Sequence, residues 1–218
     1  MATDGNIGFL LSDSVTYAAR GVPIVKGFAA KALMLPHAQS VIAFAGPTLA
    51  AASVCDSVRH CGDYDQIRSA LPEALRKVIV TLGKHHPNWV EFLRCCGAYV
   101  LGFSPSAQAV RCLVCWTQGG ELTLDEAPII LAPRLSDAEE AAAWRTCDRP
   151  DLPRLPAQLL AIMKKQRRCG RASDGRLGIV GGCATLTAVT RNEISQRVIH
   201  RWPDVIGQPI GAAPSVAA

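Results

Sequence analysis

The chain has 218 residues, 49% of them hydrophobic and 19% charged, which supplies enough apolar surface for a sizeable core and excludes wholesale disorder. Lysine and arginine number 23 against 18 acids; the net charge of +5 falls short of the like-charge blocks that mark a nucleic-acid tail. Nine cysteines are many and odd in number, and the opening Met-Ala-Thr-Asp-Gly-Asn has no secretory pattern, so reduced thiols in a cytoplasmic protein are expected, not a disulfide scaffold. The longest uncharged run, residues 32–55, is cut by Pro36, His37, Gln39, Gly46 and Pro47 into pieces too short to span a bilayer as one helix.

In chain order, Ile7–Asp13, Val22–Lys26, Ala32–Leu35 and Val41–Ala45 read as a four-strand opening meander. An Ala-rich helix follows from Pro47, with proline suited to the first turn and Gly62 to the stop. Ile67, Ala70, Leu71, Ala74, Leu75, Val78, Ile79 and Leu82 recur at helical spacing on one face. Pro72 is expected to kink the first turns of that helix or mark its start, and Gly83 and Pro87 to end it. Ala98–Phe103 and Ala109–Thr117 read as a hairpin across Ser104-Pro105-Ser106, with Glu121–Leu124 a third strand and Pro128–Ala132 a candidate fourth.

Ser136 with Glu139 has the spacing of a capping box. Beyond the proline-rich Arg149–Pro156, Leu155, Leu159, Ile162 and Met163 mark one side of an amphipathic helix. Gly178–Thr190 and Ile194–Trp202 read as a closing hairpin, and the tail from Gly207 as loose. Helices grouped after runs of strands predict an α+β layered domain with two antiparallel sheets, one domain over residues 1–206 with 207–218 as tail. No Gly-rich phosphate loop stands at a strand–helix junction, so no nucleotide cofactor is expected.

Cys112-Leu-Val-Cys115 has the spacing of a zinc or redox pair, but it lies inside the alternating stretch Val110–Trp116. Residues three apart on a strand point to opposite faces, so core thiols are expected and no metal. The basic run Lys164-Lys-Gln-Arg-Arg168, with Arg171 and Arg176, suits phosphate or a solvated helix end; without interleaved aromatics it predicts no nucleic-acid partner, and the broken run at 32–55 predicts no membrane. Trp202, within His200-Arg-Trp-Pro203, reads as an edge or interface anchor.

Gly8-Phe-Leu-Leu-Ser-Asp13-Ser, Lys26-Gly27, Ala30-Lys31-Ala-Leu and Val41-Ile-Ala-Phe-Ala-Gly46, in this order and spacing, resemble the first third of a proteasome β-type subunit. The nearest flavour is the core of the bacterial two-component ATP-dependent protease, and Gly181-Gly-Cys-Ala-Thr-Leu-Thr-Ala-Val resembles the end of that family's second sheet. The resemblance implies the N-terminal-nucleophile (Ntn) hydrolase fold, a four-layer αββα sandwich, with self-association into rings. It also implies threonine-type hydrolysis of a peptide or amide substrate. Carried over residue by residue, Lys31 would activate the nucleophile, Asp13 would hold Lys31, and the Gly46 amide would face the oxyanion.

The departure from the family lies at the nucleophile. Counting back from Asp13 places it before Met1; Ala2 has no nucleophilic atom, Thr3 sits too close to the turn at Asp4-Gly5, and Ser12 and Ser14 are internal. The segment 132–137 also fails to match the family's Gly/Ser-rich loop. Two expectations stand: an Ntn-type peptidase or amidohydrolase completed by residues upstream of Met1, or a non-enzymatic homo-oligomeric scaffold or partner-binding protein on the same fold.

Overall fold

The computed structural model describes residues 1–18, 22–130, 154–169 and 179–211. Its strands are β1 (Ala2–Thr3), β2 (Ile7–Ser12), β3 (Val15–Tyr17), β4 (Val25–Phe28), β5 (Ala32–Leu35), β6 (Ser40–Ala45), β7 (Gly97–Ser104), β8 (Ala109–Gln118), β9 (Glu121–Glu126), β10 (Cys183–Thr190) and β11 (Ile194–Arg201). The helices are α1 (Thr48–Val58), α2 (Tyr64–His85), the single turn α3 (Val90–Leu93) and α4 (Leu155–Cys169). The strands form three sheets, ordered β1-β2-β10-β11, β3-β4 and β5-β6-β7-β8-β9; β1 with β2, β3 with β4, and each neighbouring pair from β5 to β9 run antiparallel. The α+β class is thus found. The opening meander is not: its four segments are dealt to all three sheets, because a strand's alternation fixes which face is buried and not which neighbour it joins.

Two compact units divide the chain: unit 1 holds Met1–Leu10, Lys31–Ile130 and Thr187–Ser195; unit 2 holds Leu11–Ala30, Leu131–Leu186 and Gln196–Ala218. In unit 1 the five-stranded sheet is covered on both faces. Ile42, Val100, Leu113 and Cys115 face Val54, Val58, Ile67, Leu71 and Leu75 of α1 and α2. Their strand neighbours Val41, Leu101 and Cys112 face Met1, Leu10 and Val189. Adjacent residues thus serve opposite cores, as a period of two requires. Cys112 and Cys115 fall in different clusters, on opposite faces, as their spacing on a strand predicts.

The long helix α2 starts earlier and ends later than its apolar stripe suggests. Asp63 caps it by accepting from the Gln66 amide at 2.8 Å, while the Gln66 side chain accepts from the Gly62 amide at 2.9 Å. This resembles a capping box with its return bond moved one residue ahead of the cap, and buried Tyr64, Ile67 and Leu71 hold the first turns against the core. Pro72 and Gly83 lie inside the helix, neither starting nor ending it. From the candidate fourth strand at 128–132, the described residues contribute an isolated bridge, Ile129 to Ala2. The capping box at Ser136 and Glu139 lies outside the described residues.

In unit 2, β3 pairs with β4, and Met163 of α4 packs with Val180, Ala184, Leu160, Ile199 and Trp202. The segment from Gly207, read from the sequence as a loose tail, bonds back to β4 and its approach: Gly207 N donates to Val25 O at 2.9 Å and Ile210 N to Pro23 O at 3.0 Å. Among the described residues no helix is long and apolar enough to cross a membrane.

Candidate active site

Lys31 and Gly46 lie at the same end of the β5–β6 pair in unit 1. The register Ala32↔Ala43 sets Lys31 beside Phe44, whose amide donates to the Lys31 carbonyl at 3.3 Å. Gly46, two residues on, has φ +144°, a conformation that only glycine adopts without strain. A Cβ there would stand 2.7 Å from Cys96 Cβ and 2.8 Å from the Phe44 ring. Packing alone therefore demands glycine at this turn.

The buried groups beside that turn are satisfied. Thr117 Oγ1 accepts from the Cys96 amide at 3.1 Å and lies 3.1 and 3.0 Å from the Leu93 and Cys96 carbonyls. Cys96 Sγ donates to Leu93 O at 3.2 Å, and burial pushes its thiol up to about 11. A thiol protonated at neutral pH and facing a carbonyl is a core group and a poor nucleophile.

Asp13 lies in unit 2, at the end of β2. Its Oδ2 accepts from the Val15 amide at 3.2 Å and the Gly181 amide at 3.1 Å. Next to it, Ser14 Oγ accepts from the Cys183 amide at 2.9 Å and lies 3.2 Å from Cys183 Sγ. The Ser14 amide donates to Gly181 O at 3.2 Å, closing a clip between residues 13–15 and 181–183. Gly182 has φ +71°, and a Cβ on it would collide with Ser14 Oγ. Of the three sequence-predicted residues, then, Lys31 and Gly46 share one end of a strand pair in unit 1, and Asp13 belongs to a backbone clip in unit 2.

Thr3 is buried at the turn that joins β1 to β2. Its Oγ1 lies 2.9 Å from Ile7 O and 3.2 Å from Val110 O, and it accepts from the Gly5 amide at 3.0 Å. Asp4 Oδ1 accepts from the Asn6 and Ile7 amides at 2.8 and 3.0 Å, so the Asp4-Gly5 turn read from the sequence is present. Thr3 is a turn hydroxyl with its bonds already made.

Sequence reasoning missed a heavily bonded ionised group among the described residues of unit 2. Asp204 has a fully buried side chain (0% exposed) and accepts two bonds from Arg167, at 2.9 and 2.7 Å. It also accepts from the Gly182 amide at 2.7 Å and the Gly211 amide at 3.2 Å. Burial pulls its carboxyl upward, but these donors outweigh burial and hold it below the usual carboxylate range. Arg167 also lies over the Trp202 ring, 5.3 Å from its centroid. The partners are 37 residues apart in sequence, and no local spacing announces them.

Two depressions open on unit 1. One of about 140 Å³ is lined by Tyr64, Asp65, Arg68, Ser104, Arg111 and Glu126. Tyr64 OH and Arg68 Nε both donate to Glu126 Oε1, at 3.0 and 2.9 Å, and Ser104 Oγ donates to Asp65 at 2.7 Å. The other, about 550 Å³ and shallow, runs over His60, Cys61, Asp63 and Gln66. Among the described residues no three His, Cys, Asp or Glu side chains converge as a metal site.

No family model matches the chain, and no curated protein matches it. Solved structures do. A mutant Anbu from Hyphomicrobium sp. strain MC1 superimposes with a TM-score of 0.60 at 13% identity, over 88% of this chain and 82% of that one. Anbu (ancestral beta-subunit) from Yersinia bercovieri gives 0.59 at 15% identity, over 92% and 85%. The chain therefore has the fold of these Anbu structures. This corrects the resemblance drawn from the motifs: membership of the proteasome β-type, Ntn-hydrolase family, nearest to the two-component protease core, does not stand, because no family model matches and the neighbours named are distant Anbu structures. At such identity the likeness is one of fold alone, since one packing of strands and helices is built by many unlike sequences.

Proposed function

We propose that this chain is a self-associating subunit on a proteasome-like, four-layer αββα fold, and that it serves as a structural or partner-holding element and not as a peptide hydrolase. The observation that carries this reading is the fate of the catalytic-looking groups. The Thr3 oxygen is buried and bonded within its own turn, and the buried Ser14 oxygen accepts from the Cys183 amide. A nucleophilic hydroxyl needs a base within reach and an open approach for the carbonyl. Neither internal hydroxyl offers that approach.

Self-association is supported by exposed apolar side chains. In unit 1 these are Met34, Leu49, Val80, Val90 and Phe92; in unit 2, Val22, Phe28, Val198, Val205 and Ile206. Large apolar groups left in water favour contact with a further surface. The free cysteines suit a reducing, cytoplasmic setting.

Sedimentation velocity combined with an amide-directed covalent probe tests the reading on the full chain. The expected outcome is a particle several times the 23.2 kDa chain and no label on Thr3, Ser12 or Ser14. A strictly monomeric protein would refute the assembly. Labelling abolished by Lys31→Ala would refute the non-hydrolytic role.

A further inference from the structure

Positive charge is segregated along this chain. Unit 2 carries 14 lysines and arginines against 8 acids, while unit 1 carries 9 against 10. Among the described residues of unit 2 the acids are Asp13 and Asp204, and both carboxylates are already bonded by backbone amides, Asp204 by Arg167 as well. The basic side chains are gathered on α4 and β11. Lys164 and Arg168 are exposed one turn apart on α4, and Arg197 and Arg201 are exposed on β11.

Packing brings the two elements together. Met163 and Leu160 of α4 lie against Ile199 and Trp202. His200 has its ring 4.8 Å from that of Trp202, and its imidazole is held below the ordinary histidine range by burial and then by the charges of Lys164 and Arg167. In the sheet order β1-β2-β10-β11, β11 is an edge, so the backbone groups on its outer side have no partner strand among the described residues. Val198, 43% exposed, sits in the middle of it.

From this juxtaposition we infer that β11 and the basic face of α4 form a docking surface for an acidic, extended peptide segment, which adds as a strand to the edge while its carboxylates meet Lys164, Arg168, Arg197 and Arg201. Main-chain bonds to a sheet edge supply affinity without sequence demands, and the charges supply orientation and selectivity. Nucleic acid fits less well. Single strands bind by stacking bases on free aromatic faces, and here the Trp202 ring is covered by the Arg167 guanidinium and met by the edge of His200. The surface is independent of the assembly reading, since a monomer carries it complete.

The test is fluorescence anisotropy of the full chain with a labelled peptide of about ten residues alternating Glu and Thr, long enough for one strand. The expected result is saturable binding that weakens with added salt and falls about tenfold or more in Lys164→Glu/Arg201→Glu. The control Lys77→Glu/Lys84→Glu, with the same charge change on α2 of unit 1, should bind as the parent does. Methylating alternate peptide nitrogens should abolish binding by removing the strand's donors. The inference is overturned if the parent fails to bind the peptide, in which case the edge charges serve only to deter strand pairing between copies. It is also overturned if the reversed variant binds equally, if the methylated peptide binds as well, or if oligothymidylate of equal length binds more tightly. Sedimentation velocity reads assembly separately, so the two readings fail by different measurements.

Discussion

Asp204 has four donors aimed at two oxygens and no access to water, and it ties α4, the Gly182 turn and the segment ending at Gly211 to one point. Removing its charge leaves the nearly buried Arg167 uncompensated, so Asp204→Asn should cost about 3–5 kcal/mol in urea unfolding. Because the folded carboxyl titrates below its unfolded value, its contribution is complete above about pH 4 and is lost as the pH falls through the folded value. The parent should therefore lose stability on acidification below about pH 4 with a steeper slope than Asp204→Asn. Gly46→Ala keeps the amide that an oxyanion role would use, yet places a Cβ against Cys96 and Phe44 at positive φ. It should destabilise by about 1–3 kcal/mol, read by the same unfolding curves. The thiols divide in the same way. Burial pushes Cys112 up to about 12 and Cys115 to about 11, so an aromatic disulfide reagent should reach these two only on unfolding, while half-buried Cys95 and Cys183 react first. The burial of Cys112 and Cys115 was legible from alternation along one strand. The role of Asp204 was not, because Arg167 and Gly182 reach it from 37 and 22 residues away.

At the scale of elements, α2 shows how tertiary burial overrides a local breaker. Proline at position 72 removes the amide that would bond to the Arg68 carbonyl, yet the helix runs through it because the Asp63–Gln66 cap and buried Tyr64, Ile67 and Leu71 fix the turns before it. Pro72→Ala restores a donor and should stabilise the protein by about 1–2 kcal/mol, less than the full helical penalty because the unfolded chain also gains freedom. Asp63→Ala should cost about 1 kcal/mol through the lost cap, and thermal unfolding of both variants checks the pair. The hairpin of β7 and β8 was readable to within a residue or two, since two alternating runs flank a Ser-Pro-Ser turn. The short β3 was missed: its three residues, Val15–Tyr17, carry too little pattern to register. Its partner β4 was read three residues early, at Val22 in place of Val25.

For the whole molecule, composition and periodicity determined a great deal. Content of apolar residues, strands grouped around helices and the absence of a spanning segment led to a mixed α+β chain with a substantial core. Tertiary structure decided the rest: which sheet each opening strand joins, which backbone amides meet the Asp13 and Asp204 carboxylates, and that the chain's positive excess lies in unit 2, with exposed bases on α4 and the β11 edge. The physical reason is one of range. Alternation and helical stripes are imprinted by neighbours a few residues away, whereas the bonds of Asp13 to Gly181 and of Asp204 to Arg167 exist only once distant segments have met.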